Sequence, residues 1–76
     1  MRPYLNAGGN AGVESYELGA DFIDVRFRGG ATYRYDHRSP GEQHVARMKE
    51  LAQAGRGLST YISQHVRGAY ALKLTA

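Results

Sequence analysis

The chain predicts an α+β fold: a three-stranded antiparallel sheet, arranged as a meander, followed by two short helices packed on one face. Three observations carry this. Residues 22–35 place two runs of period-two alternation around a Gly29-Gly30 pair, the pattern of an antiparallel hairpin. Residues 39–54 carry apolar side chains at three- and four-residue spacing behind a helix-start signature. Leu58, Ile62, Val66 and Tyr70 recur every fourth residue in a second, shorter helical stretch.

Taken in chain order, Asn6 to Gly12 has almost nothing to bury and a high glycine content, so residues 1–11 read as a flexible N-terminal arm and residues 12–76 as one domain. Residues 13–18 follow as a first strand. Glu14, Tyr16 and Leu18 fall on one side, Val13, Ser15 and Glu17 on the other, and neither side is cleanly apolar, which suits a sheet edge. Gly19-Ala20-Asp21 turns the chain into the hairpin.

The hairpin's register can be argued. A two-residue Gly29-Gly30 loop sets Tyr33 beside Arg26 and Tyr35 beside Asp24. A three-residue loop, Arg28 to Gly30, sets Val25 beside Tyr33 and Ile23 beside Tyr35, building one apolar face with Gly30 in the left-handed position. A one-residue slip would carry every core side chain to solvent, which favours the second pairing.

Ser39-Pro40-Gly41-Glu42 reads as a capping box, with the Ser39 hydroxyl accepting from the third helical amide and Glu42 reaching back. The helix runs to about Ala54, with Val45, Met48, Leu51 and Ala52 as its buried stripe, and Gly55-Arg56-Gly57 stops it. Ser59 is the expected cap of the second helix, which reaches about Arg67 before Gly68. Residues 70–74 alternate weakly, as a tail or a short fourth strand.

Composition bounds the function. A chain of 76 residues makes one small domain, burying only about 60–65% of its unfolded surface. With no cysteine it has neither disulfides nor thiolate ligands, and no stretch has the apolar length of a signal peptide or membrane span, so a cytoplasmic location is expected. His37, His44 and His65 are scattered, with no pair one helical turn apart, so neither a metal nor another cofactor is expected. No serine has a base in its sequence context, and Asp36-His37 reads as a solvated turn, so no catalytic residue is assigned and no enzyme is expected.

Charge is more informative. The formal net charge is +3, but residues 1–25 carry −3, residues 26–50 carry +3, and the remainder carries Arg56, Arg67 and Lys73 with no acid. Such asymmetry points toward a polyanion. Arg26, Arg28, Arg34, Arg56 and Arg67 are the candidate phosphate contacts, with Arg26 and Arg34 lining the sheet face turned away from the helices. Tyr33 and Tyr35 fall on the other face and read as core tyrosines rather than base-stacking rings.

Tyr16 in the first strand, Val25-Arg26-Phe27 before the glycine turn, Tyr33-Arg34-Tyr35 after it, the Ala52 to Gly57 break, Tyr61-Ile62-Ser63 and Val66-Arg67 follow one another in an order that resembles the KTSC domain family. That family is named from the C-terminus of certain lysyl-tRNA synthetases and also occurs as small stand-alone bacterial proteins. The resemblance covers roughly Val13 to Tyr70. It implies a non-catalytic module with RNA as the partner, Tyr33 and Tyr35 forming its Tyr-x-Tyr structural motif. The chain departs from the family pattern at Glu14, where an apolar residue is more usual, and around Arg38 to Gly41, which lacks the usual Val-Pro. It departs again at Gly55 to Ser59, which replaces the more frequent Ser-x-Gly form. A protein-interaction role, with a homodimer joined at the edge of residues 13–18 or at the tail, is the alternative from the unpaired sheet edges.

Overall fold

The computed structural model describes residues 1–5 and 12–75. Its sheet has five antiparallel strands in the order β1 (Arg2–Pro3), β2 (Val13–Leu18), β3 (Phe22–Phe27), β4 (Thr32–Asp36) and β5 (Leu72–Thr75). Helix α1 (Glu42–Ala54) and the single turn α2 (Leu58–Tyr61), which runs on as a π-helical turn over Ile62–Val66, pack on one face. The α+β class is as expected. Two more strands flank the meander than the three read from the sequence.

The β3–β4 pairing is the register built on the three-residue loop, with Ile23 opposite Tyr35 and Val25 opposite Tyr33. Phe27 N–H donates to the Ala31 carbonyl across that loop, and Gly29 and Gly30 both have positive φ. On β2 a bulge between Val13 and Ser15 resolves the face that the sequence left mixed. The extra residue, Glu14, lets Val13 join Tyr16 in the core while Glu14 itself pairs with Arg26 on the far face.

The first residues of the expected arm lie against the sheet. Arg2 and Pro3 pair with Tyr16 and Ser15, Tyr4 N–H donates to the Glu14 carbonyl, and the Tyr4 ring is buried. Its hydroxyl accepts from Leu58 N–H at 3.1 Å, satisfying a first-turn amide of α2 that has no intrahelical partner. The rest of the arm, residues 6–11, lies outside the described residues.

Both expected serine caps are replaced. The Asp36 carboxylate accepts from the backbone N–H groups of Arg38 and Ser39, closing a local turn, and the Ser39 hydroxyl donates to the Ala69 carbonyl. Helix α1 therefore starts behind Gly41, after a cis Ser39–Pro40 bond. Ser59 Oγ accepts from Gly12 N–H, so it links the α2 turn to the start of β2, and Gly57 stands at the cap position. The stop of α1 is as expected: Gly55 is left-handed at φ 77°, with its N–H on the Leu51 and Ala52 carbonyls. A methyl group there would lie 2.6 Å from Leu5 Cβ, so backbone conformation and packing both exclude a side chain.

The core is one cluster between sheet and helices: Tyr4, Val13, Tyr16, Ile23, Val25 and Tyr35 from the strands, and Val45, Met48, Ala52, Leu58, Ile62 and Val66 from the helical layer. Lys49 Nζ donates to the Gly19 carbonyl at 2.6 Å, tying α1 to the β2–β3 turn. Among the described residues no helix is long and apolar enough to cross a membrane.

Candidate nucleic-acid interface

The sheet face away from the helices is not the basic surface expected of it. Asp24 stands directly opposite Arg34, and the two make a bidentate pair, Nε to Oδ1 at 2.7 Å and a terminal guanidinium nitrogen to Oδ2 at 3.0 Å. Asp24 is buried, and the Arg34 guanidinium also stacks 4.0 Å from the Phe22 ring centroid. The hydrogen bond to Asp24 raises the Arg34 pKa, against an opposing desolvation. Arg26 pairs with Glu14 at 3.2 Å, with both side chains about half exposed, a contact of little energetic weight. With Glu17 also on this face, acids and bases are interleaved there.

The other three candidate arginines are exposed: Arg28 at the β3–β4 loop, Arg56 between Gly55 and Gly57, and Arg67 after the π-helical turn. Among the described residues none of them has a carboxylate partner. Arg67 lines a concave site.

That site is a groove of about 420 Å³ where the end of the helical layer meets β3 and β4. Its walls are Phe27, Tyr33 and Tyr70 on one side and Ile62, Ser63 and Arg67 on the other, over Tyr35. The size is in the range of small-ligand clefts, roughly 300–1,000 Å³. Each wall has a local cause. Phe27 and Tyr33 project to the helix face because the hairpin register puts them there, and their rings meet edge-on at 5.8 Å. The π-helical turn keeps Ile62 and Val66 buried and sets Ser63 and Arg67 at the groove rim; such turns are frequent at functional sites. Gly68, at φ 79°, reverses the chain so that Tyr70 packs on Tyr33 with ring centroids 4.5 Å apart. Beside them, Lys73 on β5 holds its ammonium 5.8 Å from the Tyr33 ring centroid.

The lining contains one cation and no carboxylate. A site with aromatic walls, two hydroxyl-bearing serines and a guanidinium at its mouth suits a planar group attached to an anion. Of the two motif tyrosines, Tyr35 is buried beneath the groove and Tyr33 is half-buried with part of its ring on the surface. Tyr70 and Lys73 are the residues that sequence reasoning missed. Tyr70 continues the spacing of Leu58, Ile62 and Val66, but Gly68 ends the helix first and sends the ring to the sheet.

Burial, and to a lesser degree the neighbouring Tyr33 and Tyr70, pushes the Tyr35 hydroxyl up to about 12. The unfolded chain ionises this phenol near 10 while the folded chain keeps it protonated, so the unfolded state binds fewer protons in that interval. Folding stability should hold below about pH 10 and fall between about pH 10 and 12. Urea midpoints measured across that interval should show the loss, and Tyr35→Phe should flatten it.

Compared with protein-family models, with curated proteins and with solved structures, the chain matches none.

Proposed function

We propose that the chain is a small non-catalytic binding module for single-stranded nucleic acid, with RNA as its partner, and that the groove between β3, β4 and the π-helical turn takes a base. The observation that carries this is the lining: the rings of Phe27, Tyr33 and Tyr70 beside Arg67, with no acidic side chain among the walls. Single-strand binders stack bases on aromatic rings and track the backbone with cations. Arg67 and Lys73 flank the rings, and Arg28 follows Phe27 directly in the chain. The resemblance to the KTSC family, with its synthetase context, supports RNA over DNA. Arg26 and Arg34, committed to Glu14 and Asp24, are left out of this reading.

The test is an amide-shift titration with short RNA and DNA oligonucleotides. Shifts should cluster at Phe27, Tyr33, Ser63, Arg67 and Tyr70. If about three phosphates are engaged, log affinity should fall with log salt at a slope of roughly −2. Absence of binding at low salt would refute the proposal.

One observation favours a second reading, a protein-interaction module. The outer edge of β5 has no partner strand among the described residues, and Leu72 and Leu74 on it are exposed. Against a homodimer at the edges, β1 carries Pro3 and β5 carries Lys73 and a bulge, features that discourage strand addition. Sedimentation should therefore give a monomer. Concentration-dependent shifts confined to Leu72–Thr75 would favour the second reading.

A further inference from the structure

A second cluster lies away from the groove. His44 on α1 and His65 on the π-helical turn, far apart in the sequence, are brought to a ring-centroid separation of 6.3 Å. Tyr61 joins both: its hydroxyl is 2.6 Å from His44 Nδ1, and its ring centroid is 4.6 Å from that of His65. The mean planes of the two imidazoles differ by 33°. His65 is exposed and His44 half-buried, so the pair is open to solvent on one side.

We infer that His44 and His65 form a binding site for a divalent transition-metal ion that prefers imidazole, with Tyr61 orienting His44. Two imidazoles that share an ion at metal–nitrogen distances of about 2.0–2.1 Å have ring centres roughly 5–6 Å apart. The observed 6.3 Å lies just beyond that range. The hydrogen bond to Tyr61 matters as much as the spacing. Ligating histidines donate their other ring N–H to a fixed acceptor, which sets the tautomer. The phenol oxygen can donate or accept, so metal binding selects the form in which Nδ1–H donates to Tyr61 Oη and Nε2 carries the lone pair, and the hydrogen bond survives.

Among the described residues no third histidine, cysteine or carboxylate joins the pair. Water completes the coordination, and the donor set of two imidazoles plus oxygen suits Cu²⁺ above Ni²⁺ and Zn²⁺. Bound there, the ion links α1 to the π-helical turn.

The test uses the full chain without a polyhistidine tag. Cu²⁺ is titrated against tyrosine fluorescence, and Zn²⁺ against the imidazole proton resonances. One saturable site is expected, with His44 and His65 perturbed, His37 unchanged and Cu²⁺ the tightest. His65→Gln, at an exposed position that leaves the fold intact, should abolish saturable binding, and His44→Gln should do the same. Tyr61→Phe keeps both imidazoles and should weaken binding by about 10- to 100-fold. Undiminished binding in His65→Gln, or perturbation of His37 in place of the pair, overturns the site. Equal affinity in Tyr61→Phe overturns the orienting role of the phenol.

Discussion

Tyr4→Ala should lower the unfolding free energy by about 3–5 kcal/mol, the range for removing a buried ring. A domain of 76 residues has roughly 4–11 kcal/mol in total, so this single change removes a large share of it. Two losses combine. The ring belongs to the core cluster at 6% exposure, and its hydroxyl is the partner of Leu58 N–H in a buried hydrogen bond. Tyr4→Phe separates them: it keeps the ring and orphans the amide, at about 1–3 kcal/mol. Urea unfolding should show lowered midpoints for both variants with an unchanged slope. A Tyr4→Ala variant as stable as the parent would mean that residues 2–5 do not rest on the sheet in solution.

The contact that makes Tyr4 important is the kind that sequence periodicity does not carry. A strand of two residues has no alternation to detect, and Tyr4 is buried because β1 runs beside β2 at the point where α2 begins. The β3–β4 hairpin lies at the other extreme. Its period-two pattern and its loop together determine which residues oppose each other, and Val25 opposite Tyr33 is legible from them. The same register places Asp24 opposite Arg34, so the neutralisation of the far face follows from the strand pairing itself. Charge counted along a chain does not see pairs formed across strands.

The helix starts at Gly41 and Gly57 depart from the serine caps for a different reason. Ser39-Pro40-Gly41-Glu42 satisfies the local rule for a helix start, but Asp36 accepts from the Ser39 N–H that Glu42 would reach, and the Ser39 hydroxyl donates to the Ala69 carbonyl. Ser59 is diverted in the same way, toward Gly12. In both places a contact distant in sequence outcompetes the local one. The groove shares this character. Phe27 and Tyr33 come from the hairpin, Arg67 from the residue after the π-helical turn and Tyr70 from beyond a glycine reversal, so no single segment carries its pattern.

Tyr70→Ala should weaken binding of a short single-stranded RNA by about 1–3 kcal/mol, the measured worth of one stacked base, or roughly 5- to 150-fold. Tyr70 is the cleanest ring to remove, since it is 38% exposed and lies outside the core cluster. Arg67→Ala acts on a different term. Loss of one phosphate contact on a single strand should make the salt slope shallower by about 0.7, with little dependence on base identity. Arg26→Ala is the matched control: it removes an arginine of the same formal charge whose partner is already Glu14, on the opposite face. It should leave the slope nearly unchanged, because the long-range contribution of one exposed charge is screened beyond about 8–10 Å at ordinary ionic strength. The comparison separates a site from a net charge. If Arg26→Ala and Arg67→Ala flatten the slope equally while Tyr70→Ala has no effect, the groove is not the interface and binding reflects the overall positive charge. If only the groove variants respond, stacking and phosphate contact act together at one place, and the far face is structural.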